Sequence, residues 1–174
     1  MFKNLDFNNF WYESSYTKEK YEGEKVTDKM VKSAENRLGY KLPESYIYLL
    51  KQRNGGMPNM VCCPTNERTS WSDNHIQINA IFGIDEAKHY SIFNTPFWVD
   101  EWGYPDIGIA ICDCPSAGHD MVFLDYRECG PQGEPKVVHI DQEWDYKITH
   151  LAETFEEFIN KLKTEEEMEI FKED

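Results

Sequence analysis

Apolar residues in the first third of the chain recur every three or four positions, which is the period of a helix that buries one face. Thr27 is placed to cap a first helix and Gly39 to end it, because a hydroxyl accepts from free amides and glycine tolerates a left-handed backbone. Pro43 suits the start of a second helix. The pattern predicts helices over about 28–38 and from about Pro43 to the Asn54-Gly55-Gly56 turn.

The apolar period changes to two in the middle of the chain. Residues 76–80 and 107–112 alternate between bulky aliphatic side chains and smaller or polar ones, and residues 120–126 and 136–141 are rich in β-branched and aromatic residues. Glycines and prolines fill the segment between the last two runs. These features predict four strands, with the last two paired as an antiparallel hairpin.

Three further segments are less regular. The segment up to Lys25 mixes aromatic and charged side chains without a period, so we expect it to wrap on the surface. Residues 57–75 are predicted to form a long loop. Near the end, Thr154 and Glu157 match a capping box, which predicts a third helix, and the acid-rich residues 165–174 are expected to form a frayed helix end or tail.

Two helices, a series of strands and a closing helix together predict an α+β fold. In this fold a mainly antiparallel twisted sheet is flanked by N-terminal helices and a closing C-terminal helix. A chain of 174 residues with 40% apolar content is long enough to bury one sizeable core. We therefore expect a single domain over 1–174, with its core at about 27–162 and an acidic tail over 163–174.

The charge balance limits the classes of partner. Thirty-two acidic residues against eighteen basic ones give a formal net charge of −14. This charge repels the phosphates of nucleic acids and anionic membrane surfaces, so neither is an expected partner. It attracts a basic protein and speeds the encounter with it, although solubility alone also accounts for such a charge.

Two features bear on the cellular compartment. No apolar stretch approaches the roughly 18 residues of a membrane-spanning helix, and the first residues lack the features of a secretory signal. The five cysteines are an odd number, which fits reduced thiols better than a set of disulfides. We therefore expect a cytoplasmic protein.

One segment resembles a known family. Residues 35–56, ENRLGYKLPESYIYLLKQRNGG, are similar to the SUKH superfamily, whose members include the yeast cell-wall-assembly regulator and many bacterial immunity proteins. The resemblance rests on Glu35, Leu38-Gly39, Leu42-Pro43, Tyr46 and Asn54-Gly55-Gly56, and by pattern it extends over about 27–162. It implies an α+β fold, no established catalytic activity and, in bacteria, the neutralisation of a toxin domain, often a nuclease.

The loop at residues 113–120 contains a thiol, a hydroxyl, an imidazole and two carboxylates. Ser116, His119 and Asp120 are too close in sequence for a catalytic triad, which is usually assembled from distant segments, so we predict no catalytic residue. Either these side chains hold the turn together, or the loop presents an imidazole and carboxylates to a basic partner. The cysteines and histidines form no C-x-x-C pair, so we predict neither a metal site nor a cofactor.

Residues 93–104 contain five aromatic side chains and two carboxylates. The two indoles of this run either cover the small-residue face of the strand at 107–112 or form a binding hot spot for a cationic protein. The candidate partner-binding residues are Trp98, Asp100, Glu101, Trp102, Asp113, His119 and Asp120.

The sequence thus favours a bacterial immunity protein that acts by binding rather than by catalysis. Its expected partner is a basic toxin domain, which the acidic aromatic surface would occlude. An alternative is a regulatory scaffold related to the cell-wall-assembly regulators, with an endogenous protein partner. A hydrolase centred on residues 113–120 is the interpretation that the sequence supports least.

Overall fold

The computed structural model describes the backbone of residues 1–173 and the side chains of residues 1–169. Within that part of the chain, five antiparallel strands form the main sheet in the order β3-β4-β5-β6-β7. These strands are β3 (Ala80–Ile81), β4 (Gly108–Asp113), β5 (Asp120–Asp125), β6 (Lys136–Asp141) and β7 (Lys147–Ala152). Two short strands, β1 (Cys62–Pro64) and β2 (His75–Gln77), pair as a separate antiparallel ribbon. The prediction of an α+β fold is confirmed.

Helices surround the sheet. They are α1 (Phe7–Phe10), α2 (Ser15–Tyr21), α3 (Asp28–Leu38), α4 (Glu44–Gln52), α5 (Thr95–Asp100), α6 (Phe155–Lys161) and α7 (Glu165–Glu173). Short 3₁₀ turns at Ile92–Asn94 and Gln142–Trp144 precede α5 and β7. Among the described residues, no helix is both long enough and apolar enough to cross a membrane.

The two helices predicted from the 3.6-residue period form where expected. The Thr27 hydroxyl accepts a hydrogen bond from the Met30 amide at 3.2 Å and caps α3. Gly39 ends this helix with a left-handed backbone, φ 81°, and its amide donates to the Glu35 carbonyl. α4 begins one residue later than predicted, because Pro43 has an extended backbone and precedes the first helical residue.

The turn after α4 is held by the side chain of Asn54, which is buried. Its amide group donates to the carbonyls of Glu24 and Ile84 at 2.7 and 2.9 Å, and its oxygen accepts from the Ile84 amide at 2.7 Å. Gly55 follows with φ 90°, and a Cβ there would lie 2.6 Å from the Tyr21 carbonyl oxygen. This position therefore requires glycine, both for its backbone angle and for the close approach.

The expectation for the opening segment was wrong. It forms α1 and α2, and its aromatic residues Phe2, Phe10, Trp11 and Tyr21 are buried. Helices of four and seven residues are too short to show a helical period in the sequence. Burial of these rings shows that the segment is part of the folded core and does not merely wrap around it.

Between residues 57 and 81 the structure differs from the predicted loop and strand. Part of the predicted loop is β1, and the strand predicted at 76–80 is divided between β2 and β3, which belong to different sheets. The last strand, β7, was not predicted, because its exposed and half-buried positions do not alternate regularly. A three-residue strand carries too little pattern to be recognised from sequence alone.

The chain end closes against the sheet. Thr154 caps α6 by accepting from the Glu157 amide at 3.1 Å, as predicted, but the Glu157 carboxylate accepts from the Glu153 amide and not from Thr154. Beyond it α7 is helical from Glu165 and buries Met168, so the predicted tail is ordered where it is described. Asp174, the last residue of that predicted tail, lies outside the described residues.

The two faces of the sheet are covered by different elements. α4 and α6 pack together through Tyr46 and Phe155, whose ring centroids lie 5.0 Å apart, and α6 contacts β6 and β7. On the opposite face Tyr104 stacks on Phe123 at 5.7 Å, and α5 contacts β4. A bulge between Ala110 and Cys112 interrupts β4, so the small residues of this strand do not form one continuous face.

Candidate partner-binding surface

A row of aromatic rings extends from α5 to the turn between β4 and β5. The ring centroids of Phe97 and Trp98 are 5.3 Å apart, those of Trp98 and Trp102 are 5.4 Å apart, and those of Trp102 and His119 are 5.6 Å apart. Phe97 and His119 are exposed, Trp102 is half-buried and Trp98 is buried. The two inner rings of the row therefore anchor the segment, and solvent reaches the rings at its two ends.

Hydrogen bonds fix the segment after α5 to the two neighbouring turns. The buried Tyr104 hydroxyl donates to the Gly118 carbonyl at 2.5 Å, and the Tyr146 hydroxyl donates to the Trp102 carbonyl. A Cβ on Gly118 would lie 2.9 Å from the Trp98 ring, so the turn can approach the indoles only with glycine at this position. Asp100 and Glu101 project from this fixed segment and are exposed.

His119 joins the β4–β5 turn to the β6–β7 turn. Its Nδ1 atom lies 2.8 Å from Gln142 Oε1 and 2.9 Å from Glu143 Oε1. The Gln142 amide also donates to the His119 carbonyl at 2.9 Å. These contacts make the aromatic row and the β6–β7 turn one continuous surface.

The far side of this surface carries two more exposed indoles. Trp144 is 38% exposed in the β6–β7 turn, and Trp71 is 40% exposed in the loop between β1 and β2. The ammonium of Lys147 lies 5.5 Å from the centroid of the Trp144 ring, and its Nζ forms an ion pair with Glu67 at 2.9 Å. The loop is therefore docked beside the turn.

We use the name acidic end surface for the group of neighbouring side chains at this end of the sheet. Its members are Phe97, Asp100, Glu101, Trp102, His119, Glu143, Trp144 and Asp145. Within the described part of the chain, Asp100, Glu101 and Asp145 have no lysine or arginine within ion-pair distance. The surface therefore presents unneutralised carboxylates beside aromatic rings, which is the combination that binds cationic side chains.

Left-handed backbone conformations at non-glycine residues are also concentrated in this surface. Three of the four non-glycine residues described with positive φ lie in the two turns of this surface, namely Ala117, Asp145 and Tyr146, at 56°, 53° and 57°. A bulky residue such as tyrosine rarely adopts this conformation. Such strain persists only where the surrounding contacts over-determine it, and it is frequent at binding sites.

Asp113 does not lie at the surface where the sequence prediction placed it. It is buried, and its carboxylate accepts from the Ala80 amide at 3.0 Å and from the Asn79 side chain at 3.1 Å. Burial raises the pKa of Asp113 to about 6, although these hydrogen bonds oppose the rise. Its contacts connect β3 to β4, so this carboxylate stabilises the fold and is not exposed to a binding partner.

Asp120 is likewise buried, directly beneath the β4–β5 turn. His139 Nε2 lies 2.7 Å from its Oδ2 atom. Burial opposes ionisation of Asp120, but hydrogen bonds from His139, Ser116 and Cys114 outweigh it and hold the pKa of the carboxyl below its usual range. With Trp98, these two aspartates are the predicted binding residues that the structure places inside the protein.

The geometry of residues 114–120 does not form the hydrolase arrangement considered from the sequence. His119 contacts Gln142 and Glu143 on the outside, whereas Asp120 pairs with His139 inside. Burial raises the pKa of the Cys114 thiol well above its usual range, which suppresses the nucleophilic thiolate. His119 is turned outward, and the imidazole near the Cys114 thiol, that of His139, is engaged with Asp120 through Nε2, so the His119-centred triad considered from the sequence is not formed.

The sequence prediction did not include some residues of the acidic end surface. Phe97, Glu143, Trp144 and Asp145 are not among the partner-binding residues predicted from the sequence, and Trp71, which lies beside this surface, falls in the loop predicted at 57–75. Each of these tryptophans is followed within two residues by an aspartate, in Trp71-Ser72-Asp73 and Trp144-Asp145. This repeated combination was the available signal, but only the fold shows that both tryptophans lie at the same end.

The chain matches the profile of a protein family over most of its length. The profile of the SUKH_6 family, described as SMI1-KNR4 cell-wall, matches residues 28–159, from the start of α3 into α6. The matched segment includes the main sheet and every member of the acidic end surface. No curated protein matches the chain.

Proposed function

The chain belongs to the SUKH family of SMI1-KNR4 cell-wall proteins, and we propose that it is a non-catalytic module that binds a basic protein through its acidic end surface. The match confirms the resemblance noted at residues 35–56. Family membership supports a module of the regulator or immunity type and says little about which residues bind, because those motif residues serve the fold. The choice of surface depends on the geometry.

The observation that carries the proposal is the coincidence of exposed rings and unpaired carboxylates on a rigid support. Aromatic side chains lose little conformational entropy on binding, and tryptophans dominate the energetics of many interfaces. Unpaired carboxylates around them attract a cationic partner and orient its approach. Since Trp98, Tyr104 and Asp120 fix the surface from beneath, little ordering is needed when a partner binds.

Within this proposal, neutralisation of a toxin domain in the bacterial cytoplasm is the favoured role. A basic nuclease surface has the charge that the acidic end surface would attract. The description of the matching family as cell-wall favours the second candidate, a regulatory module with an endogenous partner. Co-expression of the captured partner distinguishes the two, because only an immunity protein rescues growth from its partner's toxicity.

The experiment is capture from a lysate of the source organism with three baits. The first is the wild-type chain and the second is Asp100→Lys/Glu101→Lys. The third is a matched control, Asp106→Lys/Glu128→Lys, whose exposed acids lie at the opposite end of the sheet. Each double substitution changes the formal charge from −14 by +4 to −10. We expect the wild type and the control to retain a basic protein that elutes as salt rises, and the first variant to lose it.

The outcomes distinguish binding that depends on the net charge of the protein from binding that depends on the acidic end surface. If both variants lose the partner equally, net charge and not the acidic end surface determines binding, and the proposal fails. It also fails if the retained protein resists salt and is held equally by all three baits. Circular dichroism of each bait checks that loss of capture does not reflect unfolding.

A further inference from the structure

Three metal-ligating side chains meet beneath the β4–β5 turn. Cys114 follows β4 directly, Asp120 begins β5, and His139 lies in β6. Their thiol sulfur, carboxylate oxygen and imidazole nitrogen all lie within 4.8 Å of one another. The three residues are 2%, 3% and 0% exposed, respectively.

We propose that Cys114, Asp120 and His139 form a binding site for a divalent transition metal of the zinc type. Thiolate and imidazole ligands select zinc and its neighbours over magnesium and calcium, which prefer oxygen ligands alone. Cysteine, histidine and aspartate are all zinc ligands, at distances of about 2.0–2.3 Å. The inference is separate from the proposed binding function and concerns the interior behind the acidic end surface.

The strand register explains why these three residues converge although their spacing predicts no site. Asp113 pairs with Met121, so Cys114 faces Asp120 across the turn. Val122 pairs with His139, and Asp120 is two residues before Val122 on the same face of the sheet. The ligands thus come from the end of β4, from β5 and from β6, whereas a C-x-x-C pair is a feature of local spacing within one segment.

The charges of this set balance in the buried environment. A metal dication displaces the proton of the Cys114 thiol, and a proton on His139 also leaves if the imidazole is charged. The bound site then contains one thiolate, one carboxylate, one neutral imidazole and one dication, with a net charge of zero. Burial opposes any uncompensated charge, so a neutral set is the favourable product.

The turn over the three ligands carries a hydroxyl close to Asp120. Ser116 is half-buried and its hydroxyl accepts from the Asp120 amide at 3.1 Å, while Pro115 and Ala117 beside it are exposed. Three protein ligands leave one position of a tetrahedral ion, which falls to this hydroxyl or to water. His139 Nε2 and Asp120 Oδ2 must separate slightly from 2.7 Å to become ligands of one ion.

The test is titration of the untagged, full-length protein with Co²⁺, which reports thiolate ligation by a charge-transfer absorption band. We expect one equivalent of Co²⁺ to bind, with the band removed by excess Zn²⁺. Cys114→Ser should lose the band. Cys129→Ser is the matched control, because Cys129 is the exposed cysteine, and it should retain the band fully.

Absence of a band in the folded wild type overturns the proposal, as does a band lost with Cys129→Ser and kept with Cys114→Ser. If Cys114→Ser does not fold, X-ray absorption of the zinc-loaded wild type decides. One sulfur at about 2.3 Å with nitrogen and oxygen ligands at about 2.0–2.2 Å is the expected shell. A shell without sulfur, or with several sulfurs, contradicts it.

Discussion

Asn54→Ala is expected to lower the free energy of unfolding by about 3–5 kcal/mol. The substitution removes three hydrogen bonds and leaves the Ile84 amide and carbonyl without these partners in the interior. It also frees the Glu24 carbonyl, which lies nearer to solvent. Unpaired buried polar groups each cost about 1–3 kcal/mol, so the two buried losses at Ile84 account for about 2–6 kcal/mol, and the part-buried Glu24 carbonyl adds less. The expected change lies within that range. Urea denaturation followed by tryptophan fluorescence measures the change.

The control for this experiment is Asn36→Ala, at an exposed position of α3. Surface substitutions of this kind change stability by at most about 0.5 kcal/mol. A loss below about 1 kcal/mol for Asn54→Ala would contradict the role assigned to its side chain. The result bears on the family motif, because it separates the residues that build this fold from those that select a partner.

Asp120→Ala is expected to lower the free energy of unfolding by about 3–5 kcal/mol in protein kept free of metal by a chelator. The aspartate is the acceptor for His139 Nε2 at 2.7 Å, and both residues are buried. Its removal leaves a buried imidazole without this partner and opens space beneath the β4–β5 turn. Denaturation in urea again measures the effect, with Asp106→Ala as the exposed control.

A second substitution refines the result for Asp120. Asp120→Asn keeps the shape of the side chain and one acceptor oxygen for His139, so its loss of stability should be smaller than that of Asp120→Ala. Equal losses for both variants would show that the carboxylate charge determines the stability. Losses near that of Asp106→Ala would contradict the assignment of the buried pair as a stabilising contact.

Much of the fold could be predicted from the sequence because its longer elements carry complete local signals. Helix α3 has an N-cap at Thr27, one apolar face and a glycine at its end, and all three features agree. Strands β4, β5 and β6 have six residues each, long enough to display β-rich composition. The missed elements are mostly short: β1 has three residues, and the helices α1, α2 and α5 have four, seven and six. The longer strand β7 was missed because its burial does not alternate.

The candidate site was harder to predict because exposure depends on tertiary contacts. Asp113 and Asp100 are both acids near an aromatic run, yet only the fold shows that Asp113 caps the β3–β4 pairing while Asp100 remains in solvent. Trp98 and Trp102 differ in the same way, because the fold buries Trp98 and leaves Trp102 half-buried. Convergence of Cys114 with His139 depends on strand register, which the sequence pattern did not specify.

The central claim is that the acidic end surface is where the partner binds. Its most direct test is the association rate between the captured partner and three purified proteins across a range of ionic strength. These proteins are the wild type, Asp100→Lys/Glu101→Lys and Asp106→Lys/Glu128→Lys. The account predicts that the first double variant associates about 10-fold more slowly at low salt while the second stays near wild type. Equal rates for all three proteins, or an equal decrease for both variants, would contradict it.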